Sequence, residues 1–325
     1  MAHPTRGAPL TATAEADVIG GLHRALADWF AAEARDLPWR HPDCSPWGIL
    51  VSEVMLQQTP VVRVLPVWRE WMKRWPRPAD LAAEAAGEAV RAWGRLGYPR
   101  RALRLHAAAT VIADEYGGSL PDTEEGLLAL PGVGGYTAAA VAAFAFGRRA
   151  AVVDTNIRRV HARLVRGEAL PAPSLTAAER RLAEELLPDD RGASVRWNVA
   201  AMELGAIVCT ARSPRCDACP VASACAWRAA GEPPPSYVPK GQAWHGTDRQ
   251  VRGAVMAVLR AASRPVPRVL FEGPGPAVAD DGGPVAAQLA RLHALAPAPE
   301  QLERSLEGLL ADGLAAEHDG GLALP

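Results

Sequence analysis

The sequence lacks any apolar run that approaches the roughly 18 residues of a membrane-spanning helix. Its N-terminal segment also lacks the basic-then-apolar order of a secretory signal peptide. These two absences predict a cytoplasmic protein that makes no contact with a membrane. The net charge is only −1 over 325 residues, so the whole-chain charge indicates no polyanionic partner.

A strand-like alternation of apolar and polar residues is missing from the first 230 residues. Apolar residues instead recur at helical spacing between short connections that contain Gly or Pro, which predicts an all-α fold for this region. Residues 1–18 are small and polar and are predicted to be a disordered lead-in. The Pro- and Gly-rich stretch 230–247 predicts a linker. Residues 248–325 then predict a small α+β, winged-helix-like module, with a flexible insertion at 273–284.

Charge is distributed unevenly although its sum is small. Residues 91–106 carry five arginines and no acid, and residues 148–166 carry six arginines with Asp154 as the one acid. From residue 274 onward, eight acids accompany two arginines. The arginines indicate either solvated helix faces or a surface that binds anions, and the sequence alone leaves both open.

Cysteine is scarce, with five in the chain, yet four of them fall between residues 209 and 225. In a reducing compartment this clustering favours a metal site over disulfides. Cys209, Cys216, Cys219 and Cys225 follow the spacing C-x6-C-x2-C-x5-C. Four thiolates can hold either Zn²⁺ or a [4Fe–4S] cluster, and a single CxxC in a helical context favours the cluster. The fifth, Cys44, is interpreted as a packed thiol.

The stretch LPGVGGYTA places Gly132, Val133 and Gly134 between two predicted helices. Glycines allow a tight turn and a close approach of the backbone to a ligand. The free N–H groups at the start of the second helix attract an anion. The hairpin is therefore predicted to hold a DNA phosphate without reading sequence, although a simple turn between helices would explain the same glycines.

Two carboxylates adjoin apolar segments, Glu53 in ILVSEVML and Asp154 after AAVV. Acids in apolar surroundings acquire raised pKa values suited to proton donation. Cleavage of a glycosidic bond needs such a donor and a second carboxylate that faces the cationic sugar. Purely structural roles are also open, since Glu53 could lie in a buried ion pair and Asp154 could cap a helix.

Taken together, the motifs resemble the helix–hairpin–helix DNA glycosylase superfamily and, within it, the MutY-type adenine DNA glycosylases. The motifs that carry the resemblance are LPWR, VSEVMLQQT, LGY, LPGVGGYTA, VVDTNIRRV, ELGAIVC and the cysteine quartet, in this order between residues 20 and 229. The resemblance implies two helical lobes with the active-site cleft between them. The barrel lobe would span 45–150, and the cluster lobe would join 19–44 to 151–229. It further implies one [4Fe–4S] cluster and a monomer that works on the bacterial nucleoid.

For the chemistry, the resemblance implies that adenine opposite 8-oxoguanine or guanine in double-stranded DNA is turned out of the helix and released. Glu53 would protonate the leaving adenine, and Asp154 would stabilise the oxocarbenium ion. Tyr136 and Asn156 would support that centre.

Further positions match residues that contact DNA in the family. Gln58 and Tyr98 would wedge into the base stack, and Thr59 would contact the opposite base. The residues that would line the adenine pocket are Arg35, Leu37, Trp39 and Arg40.

Tyr136 also bears on the type of reaction. Endonuclease III relatives carry at this position a lysine that forms a Schiff base, which a phenol cannot form. The resemblance therefore implies a monofunctional glycosylase. Two alternatives are an endonuclease III-like glycosylase/lyase for oxidised pyrimidines and a non-catalytic iron–sulfur DNA-binding protein.

Three departures from the family pattern bear on its details. Thr155 stands where glycine is common, and Pro60 replaces a polar residue. Residues 248–325 show neither the length nor the strands of the Nudix-like domain that reads 8-oxoguanine, so that specificity is implied by the family alone.

Overall fold

The computed structural model describes residues 12–238, 241, 243–273 and 283–325. The first helix begins at Ala12, so it starts inside the stretch predicted to be a disordered lead-in, while residues 1–11 lie outside the described residues. Most of the flexible insertion predicted at 273–284 also lies outside them, as do residues 239, 240 and 242 of the predicted linker.

Helices dominate the described residues, with 61% of the chain helical and 3% in strands. The α-helices are α1 (Ala12–Glu33), α2 (Pro46–Leu56), α3 (Val61–Arg74), α4 (Pro78–Ala82), α5 (Ala86–Trp93), α6 (Arg100–Glu115), α7 (Glu124–Leu128), α8 (Gly135–Phe146), α9 (Thr155–His161), α10 (Ala177–Glu185), α11 (Arg191–Ile207), α12 (Ala226–Ala229), α13 (Asp248–Ala261), α14 (Val269–Glu272), α15 (Pro284–His293) and α16 (Pro299–Ala311). The strands are β1 (Val266–Pro267), β2 (Ala316–His318) and β3 (Gly321–Ala323). The all-α prediction for the first 230 residues and the small sheet near the end are both confirmed. None of the helices described here combines the length and the apolar character needed to cross a membrane.

The chain forms two compact units. The first comprises residues 1–44, 122–125 and 134–239, and the second comprises 45–121, 126–133 and 240–325. Of the predicted barrel lobe, residues 45–150, this division assigns 122–125 and 134–150 to the first unit and the rest to the second.

The first unit is built around α11, which packs against α1 and α9. Side-chain caps determine where its helices begin. Asp190 accepts a hydrogen bond from the Ala193 amide at 2.7 Å, and Thr176 and Glu179 form a reciprocal capping box at α10. The apolar core includes Leu26, Trp197 and Leu204, all nearly inaccessible to solvent.

Tryptophans organise the core of the second unit. Trp71 contacts Trp75 and Trp93 edge to face, with ring centroids 5.0 Å and 5.7 Å apart. Two tryptophans of this unit also hold backbone carbonyls: Trp68 donates to the Gly48 carbonyl at 2.8 Å, and Trp93 donates to the Gly97 carbonyl at 2.8 Å.

The C-terminal residues form a module within the second unit. Helices α13, α15 and α16 pack together, and the antiparallel sheet has the order β1-β3-β2. The predicted hairpin turns at Asp319 and Gly320, both with positive φ, which two-residue hairpin turns require.

This C-terminal module, residues 248–325, is attached to α5 and α6. The Gly87 amide donates to the Pro325 carbonyl at 2.6 Å, and Arg100 forms an ion pair with Asp312 at 3.1 Å. A Cβ atom at position 87 would lie only 2.4 Å from the Pro325 oxygen and 2.9 Å from the Leu324 Cβ atom. The C-terminal residues can approach α5 this closely because glycine at position 87 has no side chain.

We expect Gly87→Ala to lower the free energy of unfolding by about 1–3 kcal/mol, because backbone atoms must move to accept the methyl group. Gly253→Ala in α13 is the matched control, since its Cβ atom would meet only Trp244 at an ordinary 3.6 Å. That control should gain about 0.5–1 kcal/mol from helix propensity. Urea denaturation measures both, and equal stability of the two variants would contradict this description of the contact.

Candidate active site

Asp154 occupies the N-cap of α9 in the first unit. One carboxylate oxygen accepts a hydrogen bond from the Ile157 amide at 2.6 Å, and the other accepts one from the Asn156 side chain at 2.8 Å. Burial raises the pKa of Asp154, although these hydrogen bonds and the charge of Arg159 oppose the rise. The cap explains why α9 begins here, and it also fixes the direction of the carboxylate. Asp154 and Asn156, both predicted site residues, are thus brought together.

Arg159 connects this carboxylate to the cysteine loop, residues 209–225. Its buried guanidinium donates to the Asn156 side-chain oxygen at 2.9 Å, to the Gly205 carbonyl at 2.6 Å and to the Cys209 carbonyl at 2.7 Å. The approach of α9 to α11 needs Gly205, since a Cβ atom there would lie 2.7 Å from that of Asn156. Asp154, Asn156, Arg159 and Cys209 therefore form one continuous hydrogen-bonded chain.

The four cysteines of the loop lie close enough to influence one another electrostatically. Burial raises the pKa of Cys219 to about 11, the Val221 amide opposes the rise, and the other three cysteines add to it. Four thiolates in one short loop repel one another unless a metal centre compensates their charge, which fits a polynuclear thiolate-bound group.

Arg163 supplies positive charge and donors to the same loop. It donates to the Cys209 sulfur at 3.3 Å and to the Thr210 carbonyl at 2.8 Å, and its guanidinium lies over the Trp227 ring at 4.8 Å. Cys44 lies outside this loop, and burial together with the charge of Asp43 raises its pKa to about 11.

Arg35 and Arg40, two of the predicted pocket residues, both bind Glu203. Arg35 makes a bidentate contact at 2.7 and 2.6 Å, and Arg40 donates at 2.7 Å. The side chain of Glu203 is 0% exposed. Burial raises its pKa, but the hydrogen bonds and charges of the two arginines outweigh burial and hold the pKa at about 2. Leu37 and Trp39 are buried in the same segment, and their contact with a base stays a prediction.

In the second unit, Glu53 lies in α2, a helix whose other residues carry no charge. The side chain is 4% exposed and its neighbours in the helix are buried as well. A carboxylic acid held in such surroundings is suited to donate a proton.

Gln58 and Tyr98 occupy two adjacent loops of the second unit, and both have positive φ, 54° and 48°. Left-handed backbone is uncommon for residues other than glycine and often marks functional loops. Gln58 is exposed, and Tyr98 is 53% exposed. Arg101 links the loops, since it donates to the Gln57 carbonyl and lies over the Tyr98 ring at 4.6 Å.

Thr59 is buried beneath these loops. Its hydroxyl lies 3.2 Å from the Gln57 carbonyl and 3.4 Å from the Leu96 carbonyl. The hydroxyl thus holds the two loops together, and the predicted contact of Thr59 with a base stays a prediction.

The glycine hairpin has the backbone expected of a phosphate-binding turn. Gly132 has φ +76°, and the Val133 amide donates to the Leu130 carbonyl at 3.1 Å. Gly134 is the N-cap of α8 and provides no side-chain cap, and the start of a helix favours a bound anion. Tyr136 follows in the first turn of α8 and packs against the core of the first unit.

Sequence reasoning missed Glu203, Arg159 and Arg163. Two signals were present: Glu203 is a single acid in an apolar helical run, and Arg159 lies three residues after Asn156, on the same helix face.

Comparison with family models identifies two matching regions. The model described as HhH-GPD superfamily base excision DNA repair protein matches residues 51–186. The model described as iron–sulfur binding domain of endonuclease III matches residues 209–225, which begin and end at a cysteine of the quartet.

Characterised relatives match over most of the chain. The adenine DNA glycosylase of Mycobacterium tuberculosis is 48% identical over 316 residues, which cover 96% of this chain and 97% of that protein. The adenine DNA glycosylase of Homo sapiens is 42% identical over 216 residues, or 64% of this chain and 39% of the human protein.

Solved structures show the same fold. A thermostable thymine-DNA glycosylase is 30% identical with a TM-score of 0.60 and covers 67% of this chain and 99% of its own. A trapped endonuclease III–DNA covalent intermediate is 24% identical with a TM-score of 0.57, over 67% of this chain and 98% of its own.

We expect Glu203→Gln to lower the free energy of unfolding at neutral pH by about 3–5 kcal/mol, because two arginines lose their buried counter-charge. The wild-type protein should lose this stabilisation as the pH falls from about 4.5 toward the folded pKa of about 2, where Glu203 becomes protonated. Urea denaturation across this pH range measures both effects. Glu168→Gln, at an exposed ion pair with Arg166, is the control and should change stability by less than about 1 kcal/mol. A neutral-pH loss no larger than that of the control would contradict this role for Glu203.

Proposed function

Because the chain belongs to the adenine DNA glycosylases of the HhH-GPD superfamily of base excision DNA repair proteins, we propose that it removes adenine mispaired with 8-oxoguanine or guanine from double-stranded DNA. It is a DNA glycosylase with one [4Fe–4S] cluster. We also propose that the protein works on the bacterial nucleoid and that the residues named below act on the mispair. Action as a monomer stays a prediction.

The observation that carries the proposed chemistry is Glu53, an acid 4% exposed within the otherwise uncharged helix α2. We assign Glu53 as the proton donor to N7 of adenine. Protonation lets the base leave with the electron pair of the N-glycosidic bond. Water then adds to C1′ of the sugar, and its proton passes to the Glu53 carboxylate.

Asp154 is assigned to stabilise the cationic sugar. Its carboxylate is fixed by the Ile157 amide and the Asn156 side chain before any substrate arrives. Burial disfavours the negative charge of this carboxylate. A cation that develops beside the fixed carboxylate is therefore strongly stabilised. Asn156 is assigned as a positioning residue, and Tyr136 supports the same centre.

Cys209, Cys216, Cys219 and Cys225 are the proposed ligands of the cluster. Bound there, the cluster supplies structural cross-linking of the loop. The cysteine loop in turn holds Arg159 through the Cys209 carbonyl, at 2.7 Å.

DNA contacts are proposed for several parts of the chain. The backbone of Gly132, Val133 and Gly134 would hold a phosphate. Gln58 and Tyr98 would enter the base stack where adenine leaves it. The remaining proposed contacts are the pocket residues Arg35, Leu37, Trp39 and Arg40, and Thr59 beside the opposite base.

Tyr136 predicts a glycosylase without lyase activity. Duplexes with A:8-oxoG, A:G, A:T, thymine glycol or T:G should be incubated with the protein and analysed on gels with and without alkali. We expect strand cutting at A:8-oxoG and A:G only after alkali, and no covalent complex after borohydride reduction, because a phenol forms no Schiff base.

Glu53→Gln is the control for this assay and should lose adenine excision while it keeps duplex binding. Alkali-independent cutting at thymine glycol would instead identify a glycosylase/lyase. Cutting at T:G alone would favour the thymine specificity named for the thermostable structural relative. Binding without excision on all five duplexes would indicate a non-catalytic DNA-binding protein.

A further inference from the structure

Three arginines of the second unit lie together without a carboxylate partner. Arg63 is in α3, Arg95 follows α5, and Arg260 is near the end of α13 in the C-terminal module. Within the part of the chain that the structure describes, none of the three takes part in an ion pair. We call them the arginine cluster.

Arg260 is the member of the arginine cluster that belongs to the C-terminal module. Its Nε donates to the Val90 carbonyl at 3.2 Å, and in return Arg91 donates to the Arg260 carbonyl. The reciprocal contact fixes the end of α13 against α5. Burial and the neighbouring charge of Arg95 lower the pKa of Arg260 to about 10, so the group is still cationic at neutral pH.

The other two members adjoin the loop that carries Tyr98. Arg63 donates to the Arg95 carbonyl, and both side chains are exposed. The next two carbonyls of the loop are also held by side chains, Leu96 by Thr59 at 3.4 Å and Gly97 by Trp93 at 2.8 Å. Three consecutive carbonyls of this loop, from Arg95 to Gly97, are therefore each held by a side chain.

Two nearby arginines, in contrast, are neutralised by carboxylates. Arg91 pairs with Glu88 at 2.9 Å, and Arg100 pairs with Asp312 at 3.1 Å. In the cluster, the positive charge of Arg95 instead disfavours the charged form of Arg260, and a bound anion would relieve that repulsion. Guanidinium groups bind phosphate oxygens through parallel N–H donors.

Helix α16 of the module is poorly suited to enter a groove of DNA. In a winged helix the second helix of the helix-turn-helix enters the major groove. The helix before the hairpin here is α16, which exposes Glu300, Glu303 and Glu307. Glu303 is paired with Arg268, but Glu300 and Glu307 would repel phosphates at this helix, so Arg260 of α13 is the better placed cation.

We propose that Arg260 of the C-terminal module, together with Arg63 and Arg95, binds one phosphate of the DNA backbone beside the Tyr98 loop. The site is separate from the glycine hairpin and makes the module a backbone clamp. The proposal rests on the proposed function only in taking duplex DNA as the phosphate source.

The test measures Kd of the full-length protein for an undamaged duplex by fluorescence anisotropy between low and physiological salt. Arg260→Gln should raise Kd about tenfold at low salt. It should also reduce the slope of log affinity against log salt by about 0.9, the value for one lost phosphate contact. Arg260→Lys keeps the charge and should retain the wild-type slope.

Arg291→Gln removes an exposed arginine from α15 of the same module and should leave Kd and slope unchanged. A folded Arg260→Gln variant with the wild-type slope would overturn the proposal. If Arg260→Gln melts at much lower temperature, Arg63→Gln with Arg95→Gln tests the same site on exposed side chains, and a wild-type slope there would overturn it equally.

The duplex contains no substrate base, so this result is independent of excision. A reduced slope in a protein that never releases adenine would support the phosphate site and refute the proposed function. Normal adenine release with unchanged slopes would support the proposed function and refute the phosphate site.

Discussion

The buried guanidinium of Arg159 is the contact on which the candidate active site of the first unit depends. It donates to the Asn156 side chain and to the Gly205 and Cys209 carbonyls, and its removal would leave these acceptors buried without a donor. Asn156 in turn holds Asp154. The direction of the Asp154 carboxylate thus depends on a guanidinium that is itself held by the cysteine loop.

The C-terminal module is held against the helices on either side of the Tyr98 loop. It is attached to α5 through Gly87 and Arg260 and to α6 through the Arg100–Asp312 ion pair. These contacts lie on both sides of the loop that carries Tyr98. The match to the mycobacterial adenine DNA glycosylase covers 96% of the chain and therefore extends into this module, whereas the match to the human enzyme covers 64%.

Local patterns in the sequence were enough to predict the helices, the hairpin and the cysteine quartet, because each depends on residues close together in the chain. The acid in α2 was equally visible as a charge in an apolar run. Glu203 and its partner Arg35 were not predictable as a pair, since 168 residues separate them. Arg260 and Val90 are 170 residues apart, and only the folded chain brings them together. The direction of Asp154 likewise depends on Arg159, which a cap pattern does not contain.

The most direct measurement is the pH dependence of single-turnover adenine release by Arg159→Gln, with Arg163→Gln as its control. Both arginines bind the cysteine loop, but only Arg159 reaches Asn156, and its charge opposes the rise of the Asp154 pKa. In the proposed mechanism, excision needs the Asp154 carboxylate and fails as the pH falls through its pKa. We predict that Arg159→Gln moves this acid limb to higher pH with the cluster absorbance retained, while Arg163→Gln leaves it in place. An unchanged rate and acid limb in Arg159→Gln would contradict the account.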